Sequence, residues 1–130
     1  WPSDKRVSNE FAVNWLSKLC LEYNLDIVIT STWLIGHSVE EIATCLYNSG
    51  LHKDVKVIDG CTTNQFKCRG VQIESWFDRH KLKIEDTVSV ILDDDTDMEE
   101  HQLPYFIQTN ANGSGLNKTV MNKAIKILNK

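Results

Sequence analysis

Between Ser8 and Tyr23 the apolar residues Phe11, Trp15, Leu16, Leu19 and Tyr23 recur at the three-to-four spacing that lines one face of a helix. The period then changes to the β-branched run LDIVITST, which predicts a short buried strand from Asp26 to about Thr30. SVEE opens the next helix with a capping box, Ser38 capping and Glu41 reaching back, and Gly50 is its natural stop. VKVID (Val55 to Asp59) reads as another strand, and Gly60 to Arg69, without periodicity, as a loop. From Val71 the spacing of Ile73, Trp76, Phe77 and His80 predicts a third helix. A central strand, Val88 to Leu92, follows, then a strand from Tyr105 to Thr109. After the NANGSG turn Asn117 caps a closing helix that carries Val120, Met121, Ala124, Ile125 and Leu128 on its apolar face.

Strands that alternate with helices need crossover connections, which predicts an α/β fold: a mainly parallel sheet with helices on both faces. At 130 residues, with no repeat or linker, the chain reads as one domain over 1–130. The composition, 42% hydrophobic and 25% charged, excludes disordered and low-complexity classes. The apolar runs are too short to span a bilayer, and nothing near Trp1 resembles a secretion signal, so a soluble, cytoplasmic protein is expected. A formal charge of −4 with scattered lysines offers no broad nucleic-acid surface, but leaves room for a small anion held by a few groups. Cys20, Cys45, Cys61 and Cys68 form no CxxC pair and suit reduced thiols. His37, His52, His80 and His101 have no metal-ligand spacing and read as surface or packing residues.

In such sheets ligands bind beyond the carboxyl ends of the strands. Asp93, Asp94 and Asp95 follow an apolar strand and so stand at that edge, with Asp97 close behind. Carboxylates this close repel unless a cation compensates; Mg²⁺ prefers carboxylate oxygen, while the plainer alternative is that they cap a turn in water. Thr30 and Ser31 end another strand, where a hydroxyl either holds a phosphate oxygen or caps a turn. Arg69, ahead of the third helix, either faces an anion beside that helix's positive end or is an ordinary exposed arginine. Trp33 either walls the pocket or packs, whereas Trp15 and Trp76 lie on apolar helix faces and read as core.

The order of these features, hydroxyl, cation, then acidic group, resembles the haloacid dehalogenase-like (HAD) phosphohydrolases. VITSTW, RGVQIESWF, VILDDDTDM and FIQTNANGSGLN together resemble the small HAD domain of the Swiss Army Knife RNA repair proteins and their stand-alone relatives, from about Phe11 to Leu128. The resemblance implies a three-layer Rossmann-like fold without a cap domain and an Mg²⁺-dependent phosphatase acting through an aspartyl-phosphate. It implies catalytic roles for Ser31, Arg69, Asp93 and Asp94, substrate contacts from Thr30, Trp33 and Arg69, and metal contacts from Asp93, Asp94 and, in a lesser role, Asp97. With no cap-sized insertion, an open site is expected, in reach of a phosphorylated small molecule or a nucleic-acid end.

The family's first motif, an apolar strand ending in DxD that supplies the nucleophile, is not found in WPSDKRV, the residues ahead of the first helix. That strand would be central, and its loss would part the strands at Asp26–Thr30 and Val88–Leu92 by roughly 10 Å. Three accounts are open: a preceding segment in the natural protein, which is preferred; a strand supplied from elsewhere; or a rearranged sheet without catalysis. The last makes a non-catalytic HAD-like module that binds a ligand or protein partner the alternative function. Leu34 stands where relatives often carry Arg, and Gln72 where an acid is frequent, which bears on substrate choice.

Overall fold

A computed structural model describes residues 10–30, 34, 36–61, 68–93, 96–109 and 118–129. The predicted Ser8 start, the Asn117 cap and the NANGSG turn lie outside these residues, as do Ser31, Trp33, Asp94 and Asp95. The elements run α1 (Glu10–Tyr23), β1 (Ile27–Ile29), α2 (Val39–Asn48), β2 (Val57–Gly60), α3 (Arg69–Arg79), β3 (Ile91–Asp93), β4 (Phe106–Gln108) and α4 (Lys118–Leu128). Two short 3₁₀ turns, Ile84–Asp86 and Glu100–Tyr105, flank β3, and the sequence pattern foretold neither.

The helix starts and stops follow local chemistry. At α2 the Glu41 amide donates to Ser38 Oγ at 3.1 Å and the Ser38 amide donates to Glu41 Oε1 at 3.0 Å, so both halves of the expected capping box form. Three helices close in the same way, with a residue at positive φ followed by an amide that reaches back five residues to a helix carbonyl. The residues in the left-handed position are Asn24 (φ 55°), Gly50 (φ 111°) and Lys81 (φ 57°), and the returning bonds are Leu25 to Cys20, Leu51 to Leu46 and Leu82 to Phe77.

Among the described residues the strand pairing is parallel, as the alternation predicts: β1 with β2, and β3 with β4. Among the described residues these are two separate two-stranded sheets, with no ladder between β1 and β3. The strands are shorter than the apolar runs suggest. β2 begins at Val57, because the Val55 amide turns back to the His52 carbonyl. β3 begins only at Ile91, and Val88 is 62% exposed. Tyr105 belongs to a 3₁₀ turn, and β4 is Phe106–Gln108.

Side chains alternate across the strands, so β3 and β4 are covered on both faces. Val90, Leu92 and Ile107 pack with Leu19 of α1 and with Val120, Met121, Ala124 and Leu128 of α4. Ile91 and Phe106 face the other way, onto Ile73, Trp76 and Phe77 of α3. A third cluster joins Val13 and Cys20 of α1 to Leu51, Val55, Ile27 and Val57. Burial of these faces supplies the main drive to fold, at roughly 25 cal/mol per Å² of apolar surface. No described helix is long and apolar enough to cross a membrane.

Candidate functional site

Three of the sequence-predicted residues meet at the carboxyl ends of the strands. Thr30 directly follows β1, Asp93 is the last residue of β3, and Arg69 is the first residue of α3. Thr30 Oγ1 donates to Asp93 Oδ2 at 3.0 Å, and Arg69 Nη1 donates to the same oxygen at 3.0 Å. Asp93 and Arg69 are nearly closed off from water, their side chains 4% and 9% exposed. The Asp93 backbone is fixed as well, its carbonyl accepting from the Thr109 amide at 2.8 Å just past the β3–β4 ladder. Thr30 therefore links one strand pair to the other across the place where no ladder runs.

The expected helix start at Val71 is corrected by two residues. α3 begins at Arg69, so the Arg69 and Gly70 amides are among the first-turn donors that a helix must satisfy from outside itself. Cys68, at the cap position, makes no side-chain capping bond. Asp97 does this from across the chain: its Oδ2 accepts from the Arg69 amide at 3.2 Å and its carbonyl accepts from the Gly70 amide at 3.1 Å. A carboxylate there also matches the positive end of the helix. The Cys68 thiol hydrogen-bonds to the same carboxylate, and that bond, with the charge behind it, raises the thiol pKa above its ordinary value.

Of the remaining predicted residues, Ser31, Trp33 and Asp94 lie outside the described residues. Leu34 packs over the carboxyl end of β2, its methyl carbons 3.0 and 3.1 Å from where a Cβ on Gly60 would stand. Trp76 is core, as its helical spacing predicts, and its indole N–H donates to Asp59 Oδ2 at 2.8 Å while His80 stacks on its ring. Cys20, Cys45 and Cys61 are buried thiols, and burial pushes Cys20 and Cys61 up to about 11. Two surface hollows, one against Val88 and Pro104 and one against Trp15 and His52, contain none of the three converging side chains.

Sequence reasoning missed Gly70 and Gln102. Gln102 is fully buried, its Nε2 donating to the Gly70 carbonyl at 2.9 Å and its Oε1 accepting from the Glu99 amide at 2.8 Å. The one available signal is the E-x-x-Q spacing of Glu99 and Gln102, which the structure turns into a capping box.

The fit to a divalent cation can be judged from the donors. Asp93 is a hard oxygen donor, but its Oδ2 already receives Thr30 and Arg69, and Asp97 is turned to the start of α3. Among the described residues no three His, Cys, Asp or Glu side chains gather to hold a metal ion. Mg²⁺ is usually held by one or two carboxylates with water filling most of its octahedral positions, so Asp93 fits as one oxygen donor, and the described residues do not complete the site by themselves.

The family model described as the HAD domain in Swiss Army Knife RNA repair proteins aligns with residues 2–120. No curated protein and no solved structure matches the chain.

Proposed function

Because the chain belongs to the family of HAD domains in Swiss Army Knife RNA repair proteins, we propose that it is the phosphoryl-binding part of an Mg²⁺-dependent phosphohydrolase that works through an aspartyl-phosphate. The observation that carries this reading is the convergence of Thr30 and Arg69 on Asp93 Oδ2, a hydroxyl and a guanidinium aimed at one buried anionic oxygen. Donors arranged around a negative oxygen are what phosphoryl transfer requires, since most of its catalysis is positioning and charge stabilisation. In this reading a substrate oxygen takes the place of Asp93 Oδ2 in front of Arg69, whose planar fork can bond two phosphoryl oxygens at once. Thr30, or Ser31 beside it, donates a further bond. Mg²⁺ would supply charge neutralisation between substrate and carboxylates, with Asp93 and Asp94 among its oxygen donors.

The nucleophilic carboxylate belongs, on this reading, to a strand lying between β1 and β3 in a three-layer sheet. Division of the described strands into two parallel pairs with no ladder between them, and the Thr30–Asp93 bond across their ends, support that placement. The proposed substrate is a phosphorylated small molecule or a nucleic-acid end. All four cysteines are free thiols, which suits the cytoplasm.

The test is phosphate release from p-nitrophenyl phosphate by the natural full-length protein with Mg²⁺. Asp93→Asn and Arg69→Gln should each lower kcat by at least about 100-fold, the usual scale for loss of one charge-stabilising group. Unchanged turnover in either variant rejects the assigned site, and no release by the natural protein leaves a binding module in place of an enzyme.

A further inference from the structure

Arg69 can serve an anion only if its guanidinium arrives at a fixed place, and a long side chain inherits its aim from the backbone that carries it. That backbone is held at three polar groups. The Arg69 amide is bound by Asp97 Oδ2, the Gly70 amide by the Asp97 carbonyl and the Gly70 carbonyl by Gln102 Nε2. The contact is steric as well as polar: a Cβ on Gly70 would lie 2.6 Å from the Glu99 nitrogen and 2.9 Å from Met98 Cα. Gln102 is 0% exposed, and burying an amide costs free energy unless both its ends are bonded. Both ends are bonded, one to Gly70 and the other to Glu99. Residues 97–102, downstream of the strand that carries Asp93, thus grip the peptide next to Arg69.

From this geometry we infer that Gln102 is a positioning residue for Arg69: it fixes the first turn of α3 against the segment after β3, and so sets where the guanidinium points. Its link to a phosphoryl group rests on the function proposed above; its effect on the Arg69–Asp93 pair does not. A merely structural role predicts that a destabilising core substitution elsewhere does the same. Ile42→Val, a buried change in α2, is the control for that.

The experiment has two readouts on the same chain. The first is the Arg69 side-chain Nε–Hε signal in ¹H–¹⁵N NMR spectra, assigned by its loss in Arg69→Gln. It should be sharp and slow to exchange with water in the wild type and in Ile42→Val, and broadened in Gln102→Met. A sharp, protected signal in Gln102→Met overturns the inference. If Gln102→Met does not fold, Gln102→Glu, which keeps the side-chain shape and the acceptor for the Glu99 amide but loses the amide donor to the Gly70 carbonyl, must broaden the signal instead; a sharp signal there overturns the inference equally. The second readout is affinity for inorganic phosphate, expected to fall about tenfold in Gln102→Met and not in Ile42→Val, as a small misplacement of a binding group would cause. A broadened signal together with phosphate affinity that is the same in Arg69→Gln as in the wild type would uphold the positioning of Arg69 on Asp93 while removing the phosphoryl reading.

Discussion

Arg69 Nη1 sits 3.0 Å from Asp93 Oδ2 with both side chains almost wholly out of water, so each charge is the other's compensation. Breaking such a pair strands a buried charge, which costs about 3–5 kcal/mol, whereas replacing both members with apolar groups is often neutral or better. Against a total stability of roughly 5–15 kcal/mol, Asp93→Leu should come close to unfolding the protein. Urea denaturation should show the Arg69→Met/Asp93→Leu double variant markedly more stable than Asp93→Leu alone. Additive losses in the two single variants would mean that the pair is not coupled.

The thiol of Cys68 tests the other end of the same assembly. It is the exposed cysteine among four, and the Asp97 carboxylate accepts its hydrogen bond and opposes its ionisation, which raises its pKa. Because the thiolate is the reactive form, alkylation by iodoacetamide near pH 8 should be slow for an exposed thiol. Asp97→Ala should accelerate it, by lowering the pKa toward its ordinary value. A rate unchanged by that substitution would show that Asp97 does not face Cys68 in solution.

Much of this assembly was open to reading from the sequence, and the part that was not has a common physical cause. Thr30 and Asp93 each stand where a strand ends, which a local pattern marks, whereas Arg69 joins them, with Ser31 favoured over Thr30, through the order of motifs that the family resemblance supplies. The capping box at Ser38 and the stop at Gly50 are local in the same sense. Gln102 was invisible because what buries it is Gly70, 32 positions away, and a glutamine between His101 and Leu103 looks like surface. The length of β3 was overestimated because apolar character marks a strand only where a partner ladder exists. β4 supplies a ladder to Ile91–Asp93 and to nothing earlier.

His101 gives a pH dependence whose sign follows from its partner. Its Nε2 is 2.7 Å from Glu74 Oε2, and the hydrogen bond to that carboxylate raises the histidine pKa above 6.5. A group whose pKa is raised on folding adds stability that is complete below its unfolded pKa and disappears as pH climbs through the folded value. The gain should therefore be present below about pH 6.5 and gone a little above the raised value. Both side chains are more than a third exposed, so solvent screening keeps it small, within about 0.5 kcal/mol. NMR titration of Glu74→Gln should bring the His101 pKa back toward 6.5, and 0.5 M salt should shrink the wild-type shift. A titration indifferent to both changes would place the imidazole away from Glu74.

Lys81 holds the left-handed position after α3 that Gly50 holds after α2, with φ of 57° and 111° respectively. A side chain in this region crowds its own carbonyl at a cost of roughly 1–2 kcal/mol, and glycine is spared it. Glycine in turn gives the unfolded chain more freedom, which takes back about 0.5–1 kcal/mol. The exposed lysine side chain forms none of the bonds that close the helix, since these run from the Lys81 and Leu82 amides to the Asp78 and Phe77 carbonyls. Lys81→Gly should therefore stabilise the protein by about 0.5–1 kcal/mol, seen as a higher urea midpoint at unchanged slope. A β-branched residue at the same place, as in Lys81→Val, should do the opposite by at least as much, because branching sharpens the same clash. Equal midpoints for the glycine and valine variants would contradict the left-handed closure of α3.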